Sequence, residues 1–333
     1  MDRITVIGMG VAGTSLGLAL QEMQLKKTEV VGYTPSKDIS NSLKKLAAFD
    51  LVEQNFQQAV SGAQLIIIDA SIEDTRNYLQ SIGPYLSDGA VVTDLGNSKK
   101  ICSTWASEYL PNNTHYIAGR PIFKKNPSSI EDASADLFKN VYYCIATTGN
   151  PDDNSVKTLT GLAEAIGSKP YYLDMDEHDS YSAAMEQLPV IVSAAFVNAT
   201  TGSDSWKEMH KTAGATFNSQ SSMVNQDPID VETQTLTLSE PLVHWIDRMI
   251  MSLHKIRQEL EAGSDELLES FINAWEQRAR WETNSVQTES NQVDMPSAGM
   301  SMTSAFLGDK LAQRLTRMGD EDKKSSWKYP RDR

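Results

Sequence analysis

The sequence predicts an α/β fold, an N-terminal doubly wound parallel sheet followed by an all-α second domain. Three observations carry this. Short β-branched runs end at glycine-rich or polar turns, helical segments alternate with them to about residue 175, and helical periodicity alone continues to residue 282. The expected domains are 1–175 for the sheet, 176–282 for the helices, and 283–333 for a polar linker and short C-terminal helix.

Residues 3–7, Arg-Ile-Thr-Val-Ile, read as the first strand, and Gly8-Met9-Gly10-Val11-Ala12-Gly13 follows at once, before a helical run at 14–25. Strand, G-x-G-x-x-G turn and helix in that order form a Rossmann dinucleotide site. Gly8 allows the tight turn, Gly10 lets a pyrophosphate approach the backbone, and Gly13 lets helix and strand pack closely. The free N–H groups of the first helical turn face the anion, and Val11 and Ala12 of the glycine turn are also expected to bind the cofactor.

The second strand, 29–33, leads into Thr34, Pro35, Ser36 and Lys37. NAD sites place a carboxylate here for the ribose 2′-hydroxyl; two hydroxyls and a lysine instead favour the 2′-phosphate of NADP over NAD. Ser36 also suits a helix N-cap. Residues 65–68, Leu-Ile-Ile-Ile, are a fully buried central strand ending in Asp69-Ala70-Ser71, which the architecture places at the ligand crevice near the nicotinamide. Asp69 alternatively caps the next helix. A strand at 90–94 leads to Leu95-Gly96-Asn97-Ser98-Lys99, again at the crevice edge. Strands at 115–119 and 141–147 and an edge strand at 170–173 complete the sheet.

Residues 176–200 read as one long helix kinked by Pro189. Further on, Leu242, Trp245, Ile246, Met249, Ile250, Leu253 and Ile256, then Leu267, Leu268, Phe271 and Trp275, fall at helical spacing and read as core or dimer interface. Beyond a Ser-, Asn- and Gln-rich linker, Met302, Phe306, Leu307, Leu311, Leu315 and Met318 line one face of a short helix suited to docking on the acidic body or a sister subunit.

Composition bounds the function. With 333 residues, 40% hydrophobic and 22% charged, the chain is an ordinary globular one and large enough for two domains. Its net charge of −14 argues against nucleic-acid or anionic-membrane partners. Cys102 and Cys144 lack metal-site spacing and read as reduced thiols, so no metal is expected. No leader or membrane-spanning run is recognised, and a cytoplasmic enzyme is expected.

The order of these pieces over roughly residues 1–280 resembles the prephenate and arogenate dehydrogenases. The resemblance rests on five runs: Val-Ile-Gly-Met-Gly-Val-Ala-Gly-Thr-Ser-Leu-Gly-Leu-Ala-Leu (6–20), Ala-Gln-Leu-Ile-Ile-Ile (63–68), Val-Thr-Asp-Leu-Gly-Asn-Ser-Lys (92–99), Glu-His-Asp (177–179) and Leu-Pro-Val-Ile-Val-Ser-Ala-Ala (188–195). The last run is closer to arogenate-type members. The resemblance implies oxidative decarboxylation of a cyclohexadienyl substrate in tyrosine biosynthesis, a nicotinamide cofactor on the sheet domain and a homodimer through the helical domain. A related reductase or hydroxy-acid dehydrogenase acting on another carboxylated substrate, and a cofactor-binding homologue without chemistry, are the alternatives.

The departures from the family pattern fall at the chemistry. Gly119-Arg120-Pro121 replaces Gly-His-Pro, whose His accepts the ring-hydroxyl proton; Asn97 replaces a Ser, Gln187 a His with Glu186 before it, and Lys211 a substrate-binding Arg. A guanidinium does not deprotonate, so Arg120 can orient a substrate but not act as base. Candidate proton acceptors are His178, Asp69 and Glu186, with His210 a further one; Asn97 joins Arg120 among the altered chemistry residues. Arg120, Lys124, Lys125 and Lys211 would make the pocket cationic and suit a di-acid substrate, with Glu186 and Gln187 also lining it.

Overall fold

The protein is described by a computed structural model covering residues 2–124, 130–149, 151–283 and 286. Lys125, the linker beyond 286 and the C-terminal helix expected at 302–318 lie outside the described residues. The chain divides into two compact units, Met1–Ser252 and Leu253–Arg333.

Alternating apolar residues organise the first unit. Its main sheet comprises β1 (Asp2–Ile7), β2 (Thr28–Tyr33), β3 (Leu51–Glu53), β4 (Leu65–Ile68), β5 (Val91–Asp94) and β6 (His115–Tyr116). All neighbouring strands run parallel, in the order β3-β2-β1-β4-β5-β6. Successive side chains point to opposite faces, as the strand period of two requires. Val6, Val30, Leu65, Ile67 and Val91 enter one core, and Ile7, Val31, Ile66, Ile68 and Val92 the other. Helices α1 (Val11–Glu22) and α2 (Lys37–Leu46) bury Leu16, Leu20 and Leu43 in the first core; α3 (Phe56–Val60), α4 (Ile72–Ile82) and α5 (Lys99–Tyr109) bury Val60, Leu79, Ile82 and Ala106 in the second. This doubly wound arrangement is the expected fold.

Strand order reverses between β1 and β4, the switch point at which such sheets open a ligand crevice. The Asp69 N–H donates to the Ile7 carbonyl at 2.8 Å, so the residues following these strands meet there.

Three expectations need correction. Residues 115–119 are not one strand, and the later strands do not extend the main sheet. β6 pairs with β5, whereas β7 (Ala118–Ile122) leaves to pair antiparallel with β8 (Tyr142–Thr147), which pairs parallel with β9 (Lys169–Asp174). Pro121, lacking an N–H, is accommodated because β7 is an edge strand. The first helix begins at Val11, not residue 14, directly from the glycine turn. Strand β3 was not expected: only Val52 of its three residues is buried, too little pattern to read.

Helix α6 (Asp153–Ala165) packs Leu159 and Leu162 on the first core. The long helix expected at 176–200 comprises α7 (Met175–Ser182), a π-helical turn Ala183–Gln187 and α8 (Leu188–Thr201). Pro189 clashes with the carbonyl four residues back, and the wider turn relieves this: the Leu188 N–H donates to the Ala183 carbonyl five residues back. Then follow α9 (Trp206–Met209), α10 (Ala215–Ser221), α11 (Pro228–Thr237), α12 (Ser239–Ala262) and α13 (Glu266–Glu282). Leu238 and Leu242 are buried with Ala183, flanked by Leu188, Ile191, Trp245 and Ile246, and the Trp245 indole N–H donates to the Ser180 carbonyl at 3.0 Å.

In the second unit, Glu259 is buried and accepts a hydrogen bond from Ser270 at 3.0 Å, tying the end of α12 to α13.

A methyl group at Gly17 in α1 would lie 2.5 Å from both the Ala48 carbonyl oxygen and Phe49 Cζ. Gly17→Ala is therefore expected to destabilise the protein by about 1–3 kcal/mol, read from the urea denaturation midpoint.

Candidate active site

The crevice begins at the glycine turn. Gly8 takes the left-handed conformation (φ +83°), and a Cβ there would lie 2.0 Å from the Asp69 carbonyl oxygen. No side chain of Gly10 or its neighbours caps α1 locally. Instead the Asp69 carboxylate reaches across from the end of β4 and accepts the Gly13 N–H at 2.6 Å and the Gly10 N–H. Burial raises its pKa to about 6, and the two backbone bonds oppose the rise. Asp69 thus caps α1, while α4 is capped by Ser71, whose Oγ accepts the Asp74 N–H at 3.1 Å. The reading of Asp69 as cap of the next helix is corrected. The turn's backbone fits a dinucleotide's pyrophosphate, and the Asp69 carboxylate is a group set against it.

At the end of β2, Thr34 is buried and its Oγ1 accepts the Ser36 N–H at 3.2 Å; Ser36 Oγ accepts the Ile39 N–H at 3.3 Å and caps α2, with Lys37 exposed beside it. No carboxylate occupies residues 33–37.

The next strand end carries a buried ion pair. Lys99, fully buried, places Nζ 2.7 Å from Asp94 Oδ2 and 3.0 Å from the Asp94 carbonyl oxygen. Gly96 N–H donates to the same carboxylate at 2.9 Å, and Tyr116 Oη–H also donates to it. Burial, then the Asp94 charge, drives the Tyr116 pKa well up, so the phenol remains a donor. Asp179 of α7 caps α5 in turn: its two oxygens accept Lys99 N–H at 2.7 Å and Lys100 N–H at 3.0 Å.

Beside Asp179 lies His178, buried, with Nδ1 3.0 Å from Asp179 Oδ1 and Nε2 without a hydrogen-bond partner. A carboxylate can only accept, so Nδ1 carries the proton and Nε2 presents its lone pair. Burial lowers the imidazole pKa, the Asp179 bond opposes this, and the Lys99 and Arg120 charges lower it further.

The remaining residues close into one network. Arg120 on β7 donates from Nη1 to Ser182 Oγ at 2.6 Å and pairs through Nη2 with Glu186 on the π turn. Asn97 Nδ2 lies 3.5 Å from Glu186 Oε2 and 3.2 Å from Gln234 Oε1, and Gln187 Nε2 donates to the same Gln234 oxygen at 3.1 Å. Ser98 and Thr237 hydroxyls meet at 2.8 Å.

Two family models match this chain: "Prephenate dehydrogenase, nucleotide-binding domain" over residues 16–172 and "Prephenate dehydrogenase, dimerization domain" over 174–274. The chain belongs to the prephenate dehydrogenase family. It is 24% identical to the prephenate dehydrogenase of Bacillus subtilis (strain 168) over 271 residues, 80% of this chain and 72% of that one. It is 21% identical to the cyclohexadienyl dehydrogenase of Zymomonas mobilis over 286 residues, 85% and 97% of the two chains. Among solved structures, prephenate dehydrogenase from A. aeolicus, in complex with hydroxyphenyl propionate and NAD+, superposes with a TM-score of 0.76 at 19% identity, covering 84% of this chain and 98% of that one. Synechocystis arogenate dehydrogenase gives 0.71 at 22% identity, covering 84% and 99%.

Within the prephenate dehydrogenase family, three of this chain's departures, Arg120, Asn97 and Gln187, lie in the network just described, joined by Glu186. Its fourth, Lys211, is exposed and paired with Glu208 at 2.6 Å. Among the described residues, no hydrogen bond or ion pair joins Lys211 to the network. Lys124 is exposed. The pocket is not simply cationic as expected: Arg120, its one buried guanidinium, is matched by Glu186. Asp94, Lys99, Tyr116, Ser182 and Gln234 were given no role from sequence, and Asp179 only that of a helix cap beside His178. Asp94, Lys99 and Asp179 stood inside quoted motifs, but Gln234 carried no local signal. Among the described residues no group of three or more His, Cys, Asp and Glu is placed to hold a metal.

Removing one member of a buried ion pair leaves an uncompensated charge. Lys99→Met is expected to cost about 3–5 kcal/mol in urea unfolding, whereas Lys100→Met, which removes an exposed pair with Asp176, leaves the midpoint unchanged.

Proposed function

We propose that this chain is an NADP-dependent dehydrogenase of the prephenate and arogenate type, a cytoplasmic homodimer that oxidatively decarboxylates a carboxylated cyclohexadienol in tyrosine biosynthesis. The observation that carries the reading is the His178 imidazole, its pKa lowered by burial, held by the Asp179 carboxylate beside the Arg120–Glu186 pair at the crevice edge of a dinucleotide-type sheet. A bound nicotinamide dinucleotide supplies the hydride acceptor. Gly8, Gly10, Val11, Ala12 and Gly13 would hold its pyrophosphate, Thr34, Ser36 and Lys37 a 2′-phosphate, and Ala70, Ser71 and Gly96 would border its nicotinamide end.

His178 takes the place in the chemistry left by the family's Gly-His-Pro histidine. Its Nε2, buried and without a hydrogen-bond partner, would receive the ring-hydroxyl proton as the carbonyl forms once substrate binding brings the hydroxyl against it, and Asp179 stabilises the resulting imidazolium. Arg120 and Glu186 together match a zwitterion: the guanidinium, held by Ser182, takes a carboxylate, and the Glu186 carboxylate, 40% exposed, takes an ammonium. That pairing favours an amino-acid side arm, as in arogenate, over a keto acid. Asn97 and Gln187, steadied by Gln234, offer amides to the remaining polar groups. Aromatisation of the ring drives loss of CO2.

The domain division 1–175 and 176–282 belongs to this proposal, as does dimerisation through the helices. Ile250 in the first unit and Leu253, Phe271 and Trp275 in the second are exposed in the single chain, as an interface between subunits requires. Among the described residues no helix is long and apolar enough to cross a membrane.

The test is NADPH formation by purified protein given NADP+ with arogenate or prephenate, with NAD+ in parallel. Turnover is expected with NADP+ and fastest with arogenate. Folded, NADP+-binding protein that turns over neither substrate would instead place it with another carboxylated substrate or with cofactor-binding homologues lacking this chemistry. His178→Gln is expected to lower kcat by about 10²–10⁴-fold without changing NADP+ affinity. Because the unprotonated imidazole acts and burial lowers its pKa, the acid limb of kcat/KM is expected below pH 6.5, the ordinary histidine value.

A further inference from the structure

The glycine turn holds a group that the proposed reaction does not use. In a dinucleotide site of this kind, Gly10 is free of a side chain so that a pyrophosphate can approach the backbone, and the N–H groups at the start of the helix serve the anion. Here that position is already next to an anionic group. A Cβ on Gly10 would lie 2.8 Å from Asp69 Oδ2, one on Gly13 would lie 2.9 Å from the same oxygen, and the Gly13 N–H donates to it at 2.6 Å.

We propose that the Asp69 carboxylate is a charge gate on the dinucleotide site: it takes backbone donors that a pyrophosphate would use, and the dinucleotide binds tightly only when that carboxyl is uncharged. The inference rests on the dinucleotide reading above.

The groups around Asp69 leave its charge little compensated. From α1 it meets only the Gly10 and Gly13 N–H groups, and that helix has no acidic residue in its first turn. From α4, Glu73 and Asp74 are exposed, and Asp74 Oδ2 accepts the Ser71 hydroxyl at 3.0 Å. On β5, Asp94 is matched by Lys99. On β1, Arg3 stands at the opposite end of the strand and pairs with Glu29 at 2.7 Å. Among the described residues, therefore, no cation is set against Asp69 to offset the repulsion between its ionised form and a diphosphate. A neutral carboxyl removes the repulsion and becomes a donor toward a phosphate oxygen. Burial already places the group's pKa near 6, so the proton needed is available close to neutral pH.

The experiment is calorimetric titration of the full chain with NADP+ between pH 5.5 and 8.5, for the wild type and Asp69→Asn. The variant keeps the shape, removes the charge and controls for titration of the ligand's own 2′-phosphate. A melting curve without ligand checks that it folds. Wild-type Kd is expected to rise by about ten-fold or more across this range relative to the variant, and Asp69→Asn to bind at least about ten-fold tighter at pH 8. Parallel pH profiles, or weaker binding by the variant at pH 8, overturn the gate while leaving the dinucleotide reading intact. If Asp69→Asn does not fold, a wild-type Kd for NAD+, which carries no 2′-phosphate, that stays flat from pH 5.5 to 8.5 overturns the gate by itself. No binding by the wild type at any pH overturns both.

Discussion

The buried Lys99–Asp94 pair holds the crevice together. A lysine with no solvent exposure must be matched, and Asp94 matches it at 2.7 Å while also receiving Gly96 and Tyr116. The pair fixes the start of α5 against the end of β5, and Asp179 caps the same helix start from α7. The main sheet and the helices that follow β9 are thereby joined by charge-assisted bonds at one point. His178 inherits its place from this junction, since its ring is held by the carboxylate that caps α5.

Around that fixed point Arg120, Glu186, Asn97, Gln187 and Gln234 depend on one another. Arg120 placed alone in a buried position would be an unpaired charge, and Glu186 on the π turn answers it. Asn97 and Gln187 share the Gln234 carbonyl oxygen, which neither a serine nor a histidine would use in the same way. The π turn matters here because it sets the rotation of Glu186 and Gln187 about the helix axis, and Pro189 maintains it.

The fold was legible where periodicity is strong. Leu65–Ile68 read as a buried central strand because all four residues are apolar, and the glycine turn announced the first βα unit. The departure of β7 from the main sheet was not legible, because 115–119 is continuous in strand propensity and only long-range pairing with β8 separates it from β6. In the site, Arg120, Asn97, Glu186 and Gln187 were found through resemblance, and the structure joins them. The carboxylate of Asp69 was singled out, but its partners were not, since a side chain that turns back to cap a helix fifty-six residues earlier leaves no local mark. Gln234 was silent for the same reason.

Proton transfer to His178 depends on its protonation state. Nitrogen-detected NMR of the imidazoles, with His178→Gln to assign the resonance, measures it directly. A neutral ring at pH 7, with the proton on Nδ1 and a titration midpoint below 6.5, is expected. An imidazolium at pH 7, or a neutral ring with the proton on Nε2, would contradict proton transfer to Nε2.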